Sequence, residues 1–127
     1  MAVAEMTKLH KQSLLVFDVD GTFETAGGPV KLSSLAKLTN WGILSSRSRE
    51  RAKEATLRLE PLFIEVCRVD MRKEELLQIK NNYPNFGRYI YVADREIDRS
   101  EALAAGWEFY FAHNFGKLLQ EERNEGS

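Results

Sequence analysis

Cysteine and histidine are nearly missing from this sequence, with one cysteine and two histidines in 127 residues. Cys67 alone cannot close an intramolecular disulfide, and so few histidines exclude a zinc cluster of the usual kind. Lying in an apolar run, Cys67 reads as a small buried hydrophobe rather than a reactive thiol. Long hydrophobic stretches are missing too. The first apolar run, Leu14–Phe17, is far shorter than a signal or membrane segment requires, so the expected setting is reducing and cytoplasmic, with no membrane partner. Neither sign of charge is in excess: a formal net charge of -1 gives no reason to expect nucleic acid or an anionic surface as partner. No internal repeat, low-complexity segment or linker interrupts the chain.

What is present suits one compact domain over residues 1–127. Hydrophobic residues make up 43% and charged residues 29%, enough apolar material to cover both faces of a modest sheet. Residues 1–12 read as a lead-in without periodicity, and 121–127 as a polar tail expected to fray. Between them, short and nearly continuous apolar runs (Leu14–Phe17, Trp41–Leu44, Leu62–Val66, Tyr89–Ala93, Trp107–Phe111) alternate with helical patterns near 32–39, 47–59, 72–81 and 97–105. Pro61 stops the second helix, Asn81-Asn-Tyr-Pro84 follows the third, and Gly106 is placed to cap the fourth. The alternation predicts an α/β fold, a mostly parallel five-stranded sheet with helices on both sides. Gly27-Gly28-Pro29 reads as the tip of a tight turn or small hairpin.

In such sheets ligands bind beyond the carboxyl ends of the strands. Asp18, Asp20, Gly21 and Thr22 follow the first run, and Ser45, Ser46 and Arg47 the second. Arg68, Asp70, Arg72 and Lys73 follow the third, and Asp94 and Asp98 the fourth. Clustered carboxylates repel unless a hard cation sits among them, and magnesium prefers oxygen ligands. Hydroxyls, backbone donors and a cationic side chain offset charge on a transferring phosphoryl group. Gly21 lets the chain turn, so that Asp18 and Asp20 face one site, where one can attack phosphorus as nucleophile while the other serves as general acid and then base.

Phe17-Asp-Val-Asp-Gly-Thr22 resembles the first signature of the haloacid dehalogenase superfamily, chiefly phosphatases with a Rossmann-like, three-layer α/β/α domain. Ile43-Leu-Ser-Ser-Arg47 is similar to its second motif. Val92-Ala-Asp-Arg-Glu-Ile-Asp98, continuing to Ala105-Gly106, is similar to the fourth, although Ala93 stands where the family often has glycine. The resemblance spans Leu14 to about Phe111. It implies a Mg2+-dependent phosphomonoester hydrolase acting through an aspartyl-phosphate on Asp18, which would also bind the magnesium. Asp20 would act as acid and base, with its carbonyl on the metal. Gly21, Thr22, Ser45 and Ser46 would contact the phosphate, Asp94 would ligate magnesium, and Asp98 would stand behind it. The third-motif cation is assigned to Lys73, with Arg72 and Arg68 as rivals. Dehalogenating members lack an acid at the position of Asp20, so its presence favours phosphate esters, on a small molecule or exposed on a macromolecule. The intervals between motifs are too short for a cap domain. An open site follows, or one closed by a neighbour in a homo-oligomer.

Plainer readings compete. Asp18 and Asp20 could cap a turn, Ser45 or Ser46 the helix near Arg47, and Asp94 and Asp98 could be surface carboxylates. A calcium loop fails, because aligning Gly21 with its invariant glycine puts Val16 and Gly27 at ligand positions. Arg47, Arg49, Arg51 and Lys53 interleave with Glu50 and Glu54 as a solvated helix face, Arg47 being the exception kept near the phosphate. His113 is a rim residue, and the alternating aromatics are sheet packing. A non-catalytic module of the same fold is the main alternative. A receiver-type domain, phosphorylated after its third strand near Asp70, fits poorly.

Overall fold

A computed structural model describes residues 13–126 apart from Arg58, with the backbone alone given for 121–126. The expected lead-in, 1–12, lies outside the described residues. The apolar runs form strands β1 (Ser13–Phe17), β2 (Trp41–Ser45), β3 (Ile64–Val66), β4 (Arg88–Ala93) and β5 (Glu108–Phe111). They make one five-stranded sheet in the order β3-β2-β1-β4-β5. Every pairing is parallel, which goes beyond the mostly parallel sheet expected.

Nearly continuous hydrophobicity is explained by burial on both faces. Successive side chains of a strand point to opposite sides, so Leu15, Phe17, Ile43, Ile90 and Val92 feed one core and Leu14, Val16, Leu44, Tyr91 and Ala93 the other. The first core is covered by α1 (Leu32–Leu35), α2 (Arg49–Ala55) and α5 (Phe115–Gly126) through Leu32, Leu35, Ala52, Ala55, Phe115 and Leu118. The second is covered by α3 (Arg72–Asn82) and α4 (Glu96–Ala104) through Leu76, Ile79 and Ala102. A side chain such as Phe17, Ile90 or Leu118, wholly enclosed in this packing, contributes about 1.5–3 kcal/mol by leaving water.

Three local features differ from expectation. The helix expected over 47–59 starts only at Arg49, because Ser48 is its cap and accepts from the Arg51 amide at 3.2 Å. It ends at Ala55, ahead of Leu57, whose φ of 49° is left-handed. The polar tail does not stand apart, since its backbone continues α5, anchored by buried Phe115 and Leu118. The Gly-Gly-Pro segment is not a hairpin. A 3-10 turn at Glu24–Ala26 is followed by a return in which Phe23 and Val30 bridge in parallel sense. A Cβ on Gly28 would lie 2.3 Å from the Thr22 backbone, so only glycine allows this return. Gly106 caps α4 as expected, with φ 78° and Trp107 N–H bonded back to Ala102 O at 3.0 Å.

The intervals between β1 and β2, and between β2 and β3, hold only α1, α2, the 3-10 turn and loops. Neither contains an inserted domain. Among the described residues no helix is long and apolar enough to cross a membrane.

Candidate functional site

The register of the three central strands brings the acidic residues together. Phe17 pairs with Ile43 on one side and Val92 on the other, and Asp18 N–H continues the ladder to Val92 O at 3.0 Å. Asp18 therefore emerges beside Asp94, two residues beyond Val92, and α4 supplies Asp98 one turn later. Carboxylate oxygens of Asp18, Asp94 and Asp98 lie within 4.8 Å of one another, the first and last buried and Asp94 exposed. Gly21, at φ 70°, permits this approach: a Cβ there would stand 1.9 Å from Asp94 Oδ2. Gly21→Ala should therefore cost about 2 kcal/mol, from left-handed strain and forced displacement of Asp94. Urea midpoints of the two proteins measure this, and an unchanged midpoint would show that the loop relaxes freely.

The cation against Asp18 is Arg72, in place of the expected Lys73. Arg72 is wholly buried, with Nη2 3.3 Å from Asp18 Oδ1 and Nε 3.6 Å from Asp98 Oδ1. Its Nη1 donates to Cys67 O at 3.0 Å and reaches Cys67 Sγ at 3.2 Å. Lys73 is exposed on the next helical position, its amide bonded to Glu101 Oε1 at 3.1 Å. One residue along a helix is a rotation of about 100°, enough to exchange core for solvent. The third rival, Arg68, lies outside the acidic cluster and pairs with Asp70. Cys67, expected to be a plain buried hydrophobe, is half-buried and touches the Arg72 fork.

Burial sets the electrostatics. It pushes the Asp18 carboxyl up to about 7, with Arg72 pulling the other way and Asp98 adding to the rise. Asp98 is raised as well, by burial first, against the pull of Arg72 and Arg95. Burial opposes the charge of Arg72, but Tyr91, Asp18 and Cys67 beside it leave its pKa raised on balance. Two carboxyls that resist ionisation beside a permanent cation form a site short of positive charge.

Above the cluster opens a cleft of about 320 Å3, lined by Asp18, Asp20, Gly21, Ser46, Arg47, Asp94 and Arg95. Arg47 Nε and Asp20 Oδ2 meet across its rim at 2.7 Å, with side chains 62% and 42% exposed. Of the residues expected around a phosphate, Gly21 and Ser46 reach the cleft. Thr22 does not: it is fully buried, and its hydroxyl has no hydrogen-bond partner among the described residues. The Gly21 amide is taken by Ala26 O at 2.9 Å. Ser45 is buried at the strand end, where its Oγ accepts from the Arg47 amide at 3.0 Å. Neither Ser45 nor Ser46 caps α2. Arg95 is the lining residue to which the sequence had assigned no role.

The donor set could hold a hard cation such as magnesium. It is all oxygen, its three acidic members converge, and both buried oxygens of Asp98 lack a hydrogen-bond partner among the described residues. No family model matches this chain, and comparison with curated proteins and with solved structures finds no similar one, so the functional reading rests on these residues.

Proposed function

We propose that this protein is a magnesium-dependent phosphomonoester hydrolase, a small capless member of the haloacid dehalogenase superfamily, working through an aspartyl-phosphate on Asp18. The observation that carries the reading is the convergence of Asp18, Asp94 and Asp98 beside buried Arg72. Enclosing an ionised carboxylate costs several kcal/mol even in relaxed protein surroundings. Packing alone offers no return for such a cost, whereas phosphoryl transfer uses every one of these groups.

In this reading the phosphate lies in the cleft above Asp18. Asp18 attacks phosphorus, the ester oxygen departs, and Asp20 protonates it from the rim. Asp20 then takes a proton from water, which attacks the aspartyl-phosphate and restores Asp18. The Asp20–Arg47 pair is exposed and screened by solvent, so Asp20 exchanges partners at little cost. Arg72 holds Asp18 in place, while Ser46 and the cleft arginines offset phosphoryl charge. Bound by Asp18 and Asp94 with Asp98 behind, magnesium would supply the remaining positive charge. With no inserted domain, the leaving-group side opens to solvent, suiting a bulky substrate or closure by a second copy of the chain.

One observation favours a non-catalytic binding module: Arg72 already places positive charge between Asp18 and Asp98. Release of phosphate from p-nitrophenyl phosphate, sugar phosphates, nucleotides and phosphopeptides, with magnesium and with chelator, separates the two. Metal-dependent turnover is expected. No release from any of these at saturating magnesium would sink the hydrolase reading and leave the module.

A further inference from the structure

The cleft continues past Ser46 and Arg95. Both residues also line a second groove of about 560 Å3, which runs along the end of β3 and the following 3-10 turn, Val69–Met71. Pairing of Ser45 with Val66, extended by Cys67 N–H to Ser45 O at 3.0 Å, fixes this groove against the cleft. The two differ in character. The cleft is floored by carboxylates, whereas the groove has Val66, Cys67 and Val69 along its wall and Arg68 at its border.

Arg68 is the informative residue. Its fork is held by Asp70, with Nε–Oδ1 at 3.1 Å and Nη2–Oδ2 at 2.6 Å, yet the two side chains are 80% and 54% exposed. So exposed a pair is weakly held and yields readily to another anion. A guanidinium fork suits carboxylate or phosphate equally well. The adjoining Val66 is 44% exposed and adds apolar surface beside this charged pair. An apolar wall leading to an exchangeable arginine matches a ligand with a carbon body and an anionic far end.

We infer that this groove is the leaving-group subsite, and that it selects phosphate esters bearing a second anionic group, carboxylate or phosphate, at the far end of a short carbon body, with Arg68 as its anchor. The inference rests on the phosphatase reading, which places the scissile phosphate over Asp18. Arg47, Arg68 and Arg95 line the cleft and groove together with Asp18, Asp20, Asp70 and Asp94, so a divalent cation bound there would tip the lining charge to net positive. That balance favours a substrate with two anionic ends.

The test compares 6-phosphogluconate and fructose 1,6-bisphosphate with glucose 6-phosphate, by kcat/KM in the presence of magnesium and by calorimetric binding to the Asp18→Asn protein. Preference for both doubly anionic esters of about tenfold is expected, the worth of one charge-assisted fork. In Arg68→Ala the ratio of 6-phosphogluconate to glucose 6-phosphate should fall to near one, Arg68→Lys should keep part of it, and Asp70→Asn should raise it. Preference for the bisphosphate alone would restrict the second group to phosphate, and for 6-phosphogluconate alone to carboxylate. Turnover of all three without preference, or a preference that survives Arg68→Ala, overturns the subsite while leaving the phosphatase. Binding preference that disappears in Arg68→Ala, without turnover of any ester, upholds the groove as an anion site and overturns the phosphatase.

Discussion

Asp18→Asn should lose phosphate release by a factor on the order of a thousand or more, as enzymes do when a nucleophile is removed, and yet gain stability in the absence of metal. The two halves of this expectation come from one fact. Burial pushes the Asp18 carboxyl up to about 7, so at pH 8 the folded protein carries a charge its surroundings disfavour by roughly 3–4 kcal/mol. Asparagine fills the same space without the charge. Arg72 loses one partner but retains Asp98 Oδ1 at 3.6 Å and Cys67 O at 3.0 Å. A net gain of about 1–2 kcal/mol is therefore expected, smaller than the relief because a buried arginine loses a countercharge. Phosphate assays and urea melts of the same preparations read both halves. An active Asp18→Asn protein would end the role of Asp18 as nucleophile. A destabilised one would show that its charge supports the fold.

Without magnesium, the wild-type protein should lose about 3 kcal/mol of stability between pH 5 and pH 8, close to 10 °C in Tm for a chain of this size. The sign follows from the direction of the shift. A carboxyl whose folded pKa lies above its unfolded value keeps its proton in the folded state through a window where the unfolded chain has released it. For Asp18 that window runs from about 4 to about 7, and Asp98, shifted the same way, adds to the slope. Stability is greatest at the acid end and falls as pH rises. On the proposed reading magnesium would bind the ionised carboxylates, so protons would compete with it at pH 5 and leave it unopposed at pH 8. Its stabilising effect should be large at pH 8 and small at pH 5, and the pH slope should flatten in Asp18→Asn. Thermal melts over this range decide the matter. A metal-free Tm that rises with pH, or a magnesium shift equal at both ends, would contradict the account.

The three central strands were legible because burial on both faces leaves runs of four or five consecutive apolar residues, and the acids at their ends were legible with them; the edge runs, which carry Glu65 and Glu108, are only partly buried. The cation was harder. Leu76 and Leu77 both follow the loop, and neighbouring leucines cannot tell which face of a helix is inward. The spacing of Arg72, Leu76 and Ile79, all buried on one face, carries that signal, while Leu77 is exposed like Lys73. Helix α5 had its own signal in Phe115 and Leu118, obscured by the polar residues that follow. Thr22 and Ser45 could not be read correctly from type alone. Hydroxyls next to a signature invite a phosphate role, but where each points depends on the return of 23–30 and on the cap at Ser48, which are properties of the folded loops.

The strand order has a bearing on how the molecule comes together. β1 lies at the centre of the sheet, but its two neighbours come from distant parts of the chain, β2 soon after it and β4 much later. On a ribosome, β1, β2 and β3 emerge and can pair while β4 does not yet exist. At that stage Asp18 ends a strand with one open edge and keeps its charge in water. Only when β4 slides in beside β1, and α3 and α4 close over the far face, is the carboxylate enclosed with Asp98 and Arg72. The electrostatic penalty thus falls on the final docking of the second half. Proton uptake by Asp18 belongs to that step, so acid should favour it while leaving the earlier pairing of β1 with β2 untouched.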